Sequence, residues 1–261
     1  MKRPWMLLLA LLVTPVWADE QAQKVMECMR ANVPAQLSIG MLELTAYDRA
    51  GGSRQMRGRM FTRKETGGPA GRMTASLRID SPAEFKGASY LVVETDDYLR
   101  DGMFVYLPGV KRVRRVTGTF ADASLMGTNF SYFDFKQLQN AFGDLSAKVE
   151  PAEHINGRPT HVLSFKALPG AETRYTGVKT WIDQQACVAV RAEFYEGKKV
   201  VKELSSLAGS LRQAGSTWYV SEIEMRDPSA GTRTVLRMGA LDSDHQPPNR
   251  YFDANAFFMG P

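Results

Sequence analysis

Only 2 cysteines and 3 histidines occur among the 261 residues. A zinc centre takes three or four such ligands in one cluster, so that chemistry has almost nothing to draw on. The sequence has no G-x-S-x-G elbow, no P-loop, no dinucleotide fingerprint and no C-x-x-C pair. The common local signatures of serine hydrolases, nucleotide binders and dithiol oxidoreductases are therefore missing. Beyond residue 13, no apolar run approaches the roughly 20 residues that span a bilayer. Neither sign of charge is in large excess: 33 Lys+Arg stand against 28 Asp+Glu, a net +5, and Lys2 and Arg3 of the leader account for two of those five. So small a surplus makes no case for nucleic acid. What remains is ordinary globular usage, 44% apolar and 23% charged, which excludes a disordered or collagen-like chain. The length allows one large domain or two small ones.

Residues 1–18 read as a signal peptide. Met1, Lys2 and Arg3 form a basic start, Met6 to Val13 (MLLLALLV) is an unbroken apolar run, and Val16 and Ala18 are small residues where a signal peptidase inspects the chain. The run is too short for a membrane anchor. The first cysteine after it is Cys28, which is not at lipoprotein spacing. The expectation is an exported, soluble protein of a bacterial periplasm. That compartment permits disulfides. Cys28, expected on a helix, and Cys187, expected on a strand, are either two buried thiols or one bridge. The bridge is preferred because exported chains seldom keep free pairs. Closing so long a loop would contribute about 4–5 kcal/mol in the chain-entropy account.

Asp19 to Asn32 predicts the first helix, with Ala22, Val25, Met26 and Met29 at helical spacing. From Leu37 onward strand patterns dominate. Asp48-Arg49-Ala50-Gly51-Gly52 predicts a turn leading into a strand over Gln55 to Arg63. Further strands are predicted over Arg72 to Asp80, Ala88 to Thr95, Met103 to Leu107 and Val110 to Thr117. Residues 118–133 (GTFADASLMGTNFSYF) break the rhythm, and Asp134 to Gly143 predicts a short helix capped by Asp134. Strands resume with Ser146 to Ile155, Thr160 to Ala167, Tyr175 to Asp183, Cys187 to Tyr195, Lys198 to Leu207, Thr217 to Arg226 and Thr232 to Leu241. The tail beyond Pro247 is expected to lie on the sheet. The fold class is mainly β: one curved antiparallel sheet of about a dozen strands forming a half-open barrel. An N-terminal helix and a loop-helix lid at 118–143 complete a single domain over 19–261.

Catalytic constellations are weak. Ser131 has no histidine near it in sequence, and His154, His161 and His245 read as surface or hairpin histidines. Asp96-Asp97 reads as turn chemistry, and Glu222 and Glu224 alternate with Arg226 on one strand face. We expect no enzyme, no metal and no cofactor.

Binding features are stronger. Lys111, Arg112, Arg114 and Arg115 make the densest charge run. They serve either to protect a sheet edge or to contact anionic head groups or an acidic partner. Met103, Phe104, Tyr106, Leu125, Met126, Phe130 and Tyr132 belong to an apolar stretch at 103–135. That stretch is either a plug closing the core or the wall of an apolar pocket with a flexible lid. We take these seven as the expected lipid-binding residues and place the gate at 118–135.

Two segments carry a resemblance. YLPGVKRVRRVTG, followed by SLMGTNFSYFDF, resembles the signature of outer-membrane lipoprotein-sorting proteins, relatives of the periplasmic carrier LolA. The matching residues are Tyr106, Leu107, Pro108, Arg112, Arg114, Arg115, Gly127, Thr128, Asn129, Phe130, Ser131, Tyr132 and Asp134. Asn129 stands where the family more often has an acid. ECMRAN, WIDQQACVAVRAEFY and RDPSAGTRT extend the likeness over nearly the whole mature chain. The resemblance implies an unclosed barrel whose apolar cavity holds acyl chains of a lipid or lipoprotein. It further implies carriage towards the outer membrane, with transient membrane contact and an RND-type (resistance-nodulation-division) inner-membrane exporter as partner. The alternative is a lipid-sensing or scaffold module of the same fold that transports nothing.

Overall fold

The computed structural model describes residues 16–65, 72–95, 100–140, 147–167, 169–170 and 173–259. Residues 1–15 of the expected signal peptide, the Asp96-Asp97 pair and Gly143 lie outside them.

Two long strands, β1 (Gln36–Tyr47) and β2 (Ser53–Glu65), set the frame. Their turn forms as its residues dictate: Asp48 Oδ1 accepts the N–H groups of Ala50 at 2.8 Å and Gly52 at 2.9 Å. Gly51 takes a φ of 89°, a left-handed conformation that glycine adopts without steric cost. The chain continues through β3 (Arg72–Ser81), β4 (Ser89–Val93), β5 (Gly102–Leu107) and β6 (Arg112–Arg115). The second half holds β7 (Ala147–Ile155), β8 (Arg158–Lys166), β9 (Gly177–Asp183), β10 (Ala189–Glu196) and β11 (Lys199–Ser206). It ends with β12 (Leu211–Ala214), β13 (Thr217–Val220), β14 (Glu222–Asp227), β15 (Thr232–Met238) and β16 (Leu241–Asp242).

All but β12 and β13 join one antiparallel sheet of 14 strands. Its order is β6-β5-β4-β3-β2-β1-β15-β14-β11-β10-β9-β8-β7, with β16 paired to β1. Among the described residues the two terminal strands of that order, β6 and β7, do not pair, so the sheet is an open half-barrel, as the sequence predicts. The strand count exceeds the expected dozen because two predicted strands are broken and one strand is new. Thr217 to Arg226 is interrupted at Ser221, Thr232 to Leu241 breaks after Met238, and β12 follows Lys198 to Leu207 as a strand the sequence pattern does not reveal. Together β12 and β13 form a separate hairpin outside the main sheet.

One face of the sheet carries the main core. On β3, Met73, Ala75, Leu77 and Ile79 are buried there. Thr74, Ser76 and Arg78 of the opposite face are buried too, because the C-terminal tail lies over them. Arg78 donates to the carbonyls of Phe257, at 3.0 Å, and Met259. Its guanidinium sits 5.2 Å from the Tyr251 ring. These bonds satisfy a cation that would otherwise be costly to bury.

Helix α1 (Val16–Ala31) buries the predicted stripe Ala22, Val25, Met26 and Met29 and packs beside β7. Cys28 and Cys187 are bridged, with Cα atoms 5.6 Å apart. Cys187 is not on a strand, as expected, but in the turn between β9 and β10, with a φ of 54°. Helix α2 (Tyr132–Asn140) begins two residues before the predicted Asp134. Ser131 caps it: Ser131 Oγ accepts the Asp134 N–H at 3.0 Å, and Asp134 Oδ2 accepts the Ser131 N–H at 2.8 Å. This reciprocal pair is a capping box with Asp134 as the third-position acid.

Candidate functional site

Where α1 ends, the concave face of the sheet leaves a cavity of about 220 Å³. Ile39, Leu42, Met60, Leu204 and Leu236 wall it from the sheet. Met29, Val33 and Pro34 close it from the helix side, and Trp218, Tyr219 and Val220 from the β12–β13 hairpin. Cys187 lies on the rim, so the disulfide fastens α1 there. The carbonyls of Arg30 and Val33 at the α1 C-terminus accept from the Lys64 ammonium, the first at 2.9 Å. A cation is favourable against that end of the helix dipole. Burial holds the Lys64 amine below its ordinary pKa.

The hairpin is a separate unit inserted between β11 and β14. At its root the Ser221 N–H donates to Ser210 O at 2.8 Å, and Ser221 O accepts the Met238 N–H at 2.8 Å. Its outer strand is tied to the end of α1 through Asn32 and Trp218. A four-residue ladder has little stability of its own, so these ties and the apolar contacts of Trp218 and Val220 hold it down.

Below the cavity, α2 is anchored by two buried ion pairs. Asp134, which touches the cavity, sits 2.6 Å from Lys202 Nζ on β11. Its other oxygen accepts the Tyr175 hydroxyl at 2.9 Å. Burial, and then the Asp134 charge, push the Tyr175 hydroxyl far above its ordinary pKa, so it remains a donor. Lys136, two residues along, pairs with Asp101 at 2.9 Å. The preceding segment is equally tied. Asn129 accepts from Thr234 at 2.9 Å and donates to Thr232. Arg54 donates to Met126 O at 2.8 Å, and Asp122 accepts from Thr173 and Arg174.

Met103, Leu125, Met126, Phe130 and Tyr132 are buried in the core, and Phe104 and Tyr106 are half-buried on β5. None of these seven is among the residues lining the cavity. Phe130 is fully enclosed, Tyr132 packs against Tyr90 at 5.1 Å between ring centroids, and Tyr106 stacks on Phe258 at 4.3 Å. From the stretch 118–140, Asp134 and Phe135 reach the cavity. Lys111, Arg112, Arg114 and Arg115 are exposed along and beside β6, the sheet's first strand. The cavity lining follows from inward alternation on β1, β10 and β15, but nothing in the sequence pattern marks Trp218 as its cover.

A family model described as an uncharacterized protein matches residues 71–257. The crystal structure of a DUF1329 family protein from Desulfovibrio piger is similar, with a TM-score of 0.81 at 22% identity over 92% of this chain and 98% of that one. An outer membrane lipoprotein-sorting protein domain from Vibrio parahaemolyticus gives 0.81 at 20% identity, over 92% and 100% of the two chains. A LolA superfamily protein from Nitrosomonas europaea gives 0.68 at 16% identity, over 89% and 97%. None of the curated proteins compared matches. At these identities the likeness establishes the fold, and that fold is the LolA-like one the sequence motifs imply.

Proposed function

The chain belongs to the DUF1329-like family, and from that premise we propose that it is a non-enzymatic periplasmic carrier whose cavity takes an acyl chain of a lipid or lipoprotein. The observation that carries the proposal is the apolar cavity under the β12–β13 hairpin. Each methylene moved there from water contributes about 0.8 kcal/mol, so affinity needs few polar contacts. The cavity, about 220 Å³, is smaller than the roughly 300–1,000 Å³ of sites for drug-sized ligands. A full acyl chain, in this reading, needs more room than this, and loading requires the hairpin to swing from α1. In this reading the tied segment 118–140 is a fixed wall, with Phe135 touching the cargo. An RND-type exporter supplies the cargo, transient membrane contact accompanies loading, and handover is towards the outer membrane.

The test has two arms. Protein purified from its native membranes is analysed by native mass spectrometry for co-purified lipid, and transfer of a labelled lipid is followed between donor and acceptor vesicles. Bound lipid together with accelerated transfer supports a carrier. Bound lipid without transfer points instead to the sensing or scaffold module, and absence of both defeats the proposal.

A further inference from the structure

The two edges of the sheet are finished differently. β7 lies beside α1, and the Cys28–Cys187 bridge fastens that helix. β6 is the terminal strand at the other end, and no element pairs with its outer side among the described residues. Its ladder to β5 sets Arg112 opposite Leu107 and Arg114 opposite Val105, and the Val116 N–H donates to Met103 O at 2.8 Å. Alternation then turns the N–H and C=O of Val113 and Arg115 outward. The charges around this edge are unanswered. Lys111, Arg112, Arg114 and Arg115 make no ion pair among the described residues, while other sheet arginines do: Arg57 with Glu43, Arg59 with Asp80, Arg158 with Asp183, Arg233 with Glu224.

We propose that β6 is a docking strand, which takes an extended acidic segment of a partner protein by strand addition. An open main-chain edge is complemented by another main chain, which a lipid surface does not offer. Arg112 and Arg114 share one face of the strand and Arg115 the other. A flat anionic membrane meets one face, whereas an added strand alternates in step and presents acids to both. The same charges repel a second copy's β6, so they exclude self-pairing while admitting an acidic partner. Strands β5, β4 and β3 separate β6 from β2, a distance along the sheet of roughly 19 Å at the usual strand spacing. Docking therefore leaves the cavity free.

The probe is a synthetic peptide of glutamate pairs alternating with valine pairs, which as a strand carries acids on both faces, titrated against the full chain with amide NMR. Binding is expected to weaken with salt and to protect the Val113 and Arg115 amides from exchange. Arg112→Glu with Arg114→Glu should lower affinity about tenfold or more, as for removal of complementary interface charges. Val113→Pro should abolish binding with the melting temperature kept, because its N–H faces outward and proline is tolerated at such edge positions. Equal binding of a peptide with proline at alternate positions would show that charge alone suffices and overturn strand addition. Absence of peptide binding would overturn the proposal as well. So would binding to phosphatidylglycerol vesicles that Val113→Pro leaves unchanged and the peptide does not compete for.

Discussion

The side-chain amide of Asn32 pairs with the backbone of Trp218 as one strand pairs with another. Nδ2 donates to the Trp218 carbonyl at 2.7 Å, and the Trp218 N–H donates to Oδ1 at 2.8 Å, across 186 positions of sequence. Asn32 ends α1 and Trp218 covers the cavity, so this pair latches the hairpin to the helix. Net contributions of about 0.5–1.5 kcal/mol per hydrogen bond make the latch worth roughly 1–3 kcal/mol. Asn32→Ala should therefore speed exchange of a fluorescent fatty acid by about tenfold, since 1.4 kcal/mol is one decade in an equilibrium or rate. The melting temperature should fall only modestly. Asn32→Asp keeps the acceptor and loses the donor, so it should fall between. An unchanged exchange rate in folded Asn32→Ala would remove the hairpin from the loading step.

The Asp134–Lys202 pair makes the opposite prediction, large in stability. Both side chains are buried, and Asp134 also holds Ser131 and Tyr175. Asp134→Asn leaves the Lys202 ammonium without its counter-charge, and breaking one side of a buried pair costs about 3–5 kcal/mol. Replacing Lys202 by Met in the same chain should recover most of that loss, because the uncompensated charge goes with it. Urea unfolding of the two single variants and the double variant measures the coupling. Additive losses would mean that the two groups do not depend on each other.

Glu94 predicts a pH dependence. Burial, opposed by the Met73 N–H at 2.7 Å and by Lys136 and Arg30 but aided by Asp101, raises its pKa to about 7 from an ordinary 4.5. The folded state thus holds the proton more tightly than the unfolded chain. Between these two values the folded form binds more protons, so stability falls as pH rises through the window. Glu94→Gln cannot ionise. Its melting temperature should decline less than that of the wild type between pH 4.5 and 7.5, the advantage appearing at the upper end. Parallel profiles for the two proteins would show that Glu94 does not titrate there.

Legibility followed the kind of interaction involved. The α1 stripe, the Asp48 turn and the long strands were readable because local periodicity and turn chemistry fix them within a few residues. The half-open sheet came from strand number together with the YLPGVKRVRR and GTNFSYFD motifs. The start of α2 was misplaced because Ser131 and Asp134 both cap well, and only the reciprocal bonds decide between them. The cavity was the harder case. Residues 118–135 are apolar and lack regular structure, which fits a lid and a plug equally. Buried ion pairs to Asp101 and Lys202, from positions far apart in sequence, tie the helix that follows into the core. Trp218, on a four-residue strand, carries no periodic signal.

The contrast between cavity and core supplies the last prediction. Ala192 on β10 is buried, faces the cavity, and stands across the ladder from Leu204. Phe130 is buried with no exposed surface and does not line the cavity. Ala192→Phe puts an aromatic ring into space that the carrier reading reserves for cargo. In a filled core such a change costs about 1–3 kcal/mol of overpacking; here the ring has room, so unfolding by urea should show little loss or a small gain. Acyl-chain binding should drop sharply, as measured by displacement of a fluorescent fatty acid. Phe130→Ala should do the reverse, costing about 3–5 kcal/mol as buried aromatics do, with acyl-chain affinity retained in the fraction that stays folded. If Ala192→Phe keeps full binding while Phe130→Ala loses it, cargo enters beneath 118–135, and the gate belongs there and not at the hairpin.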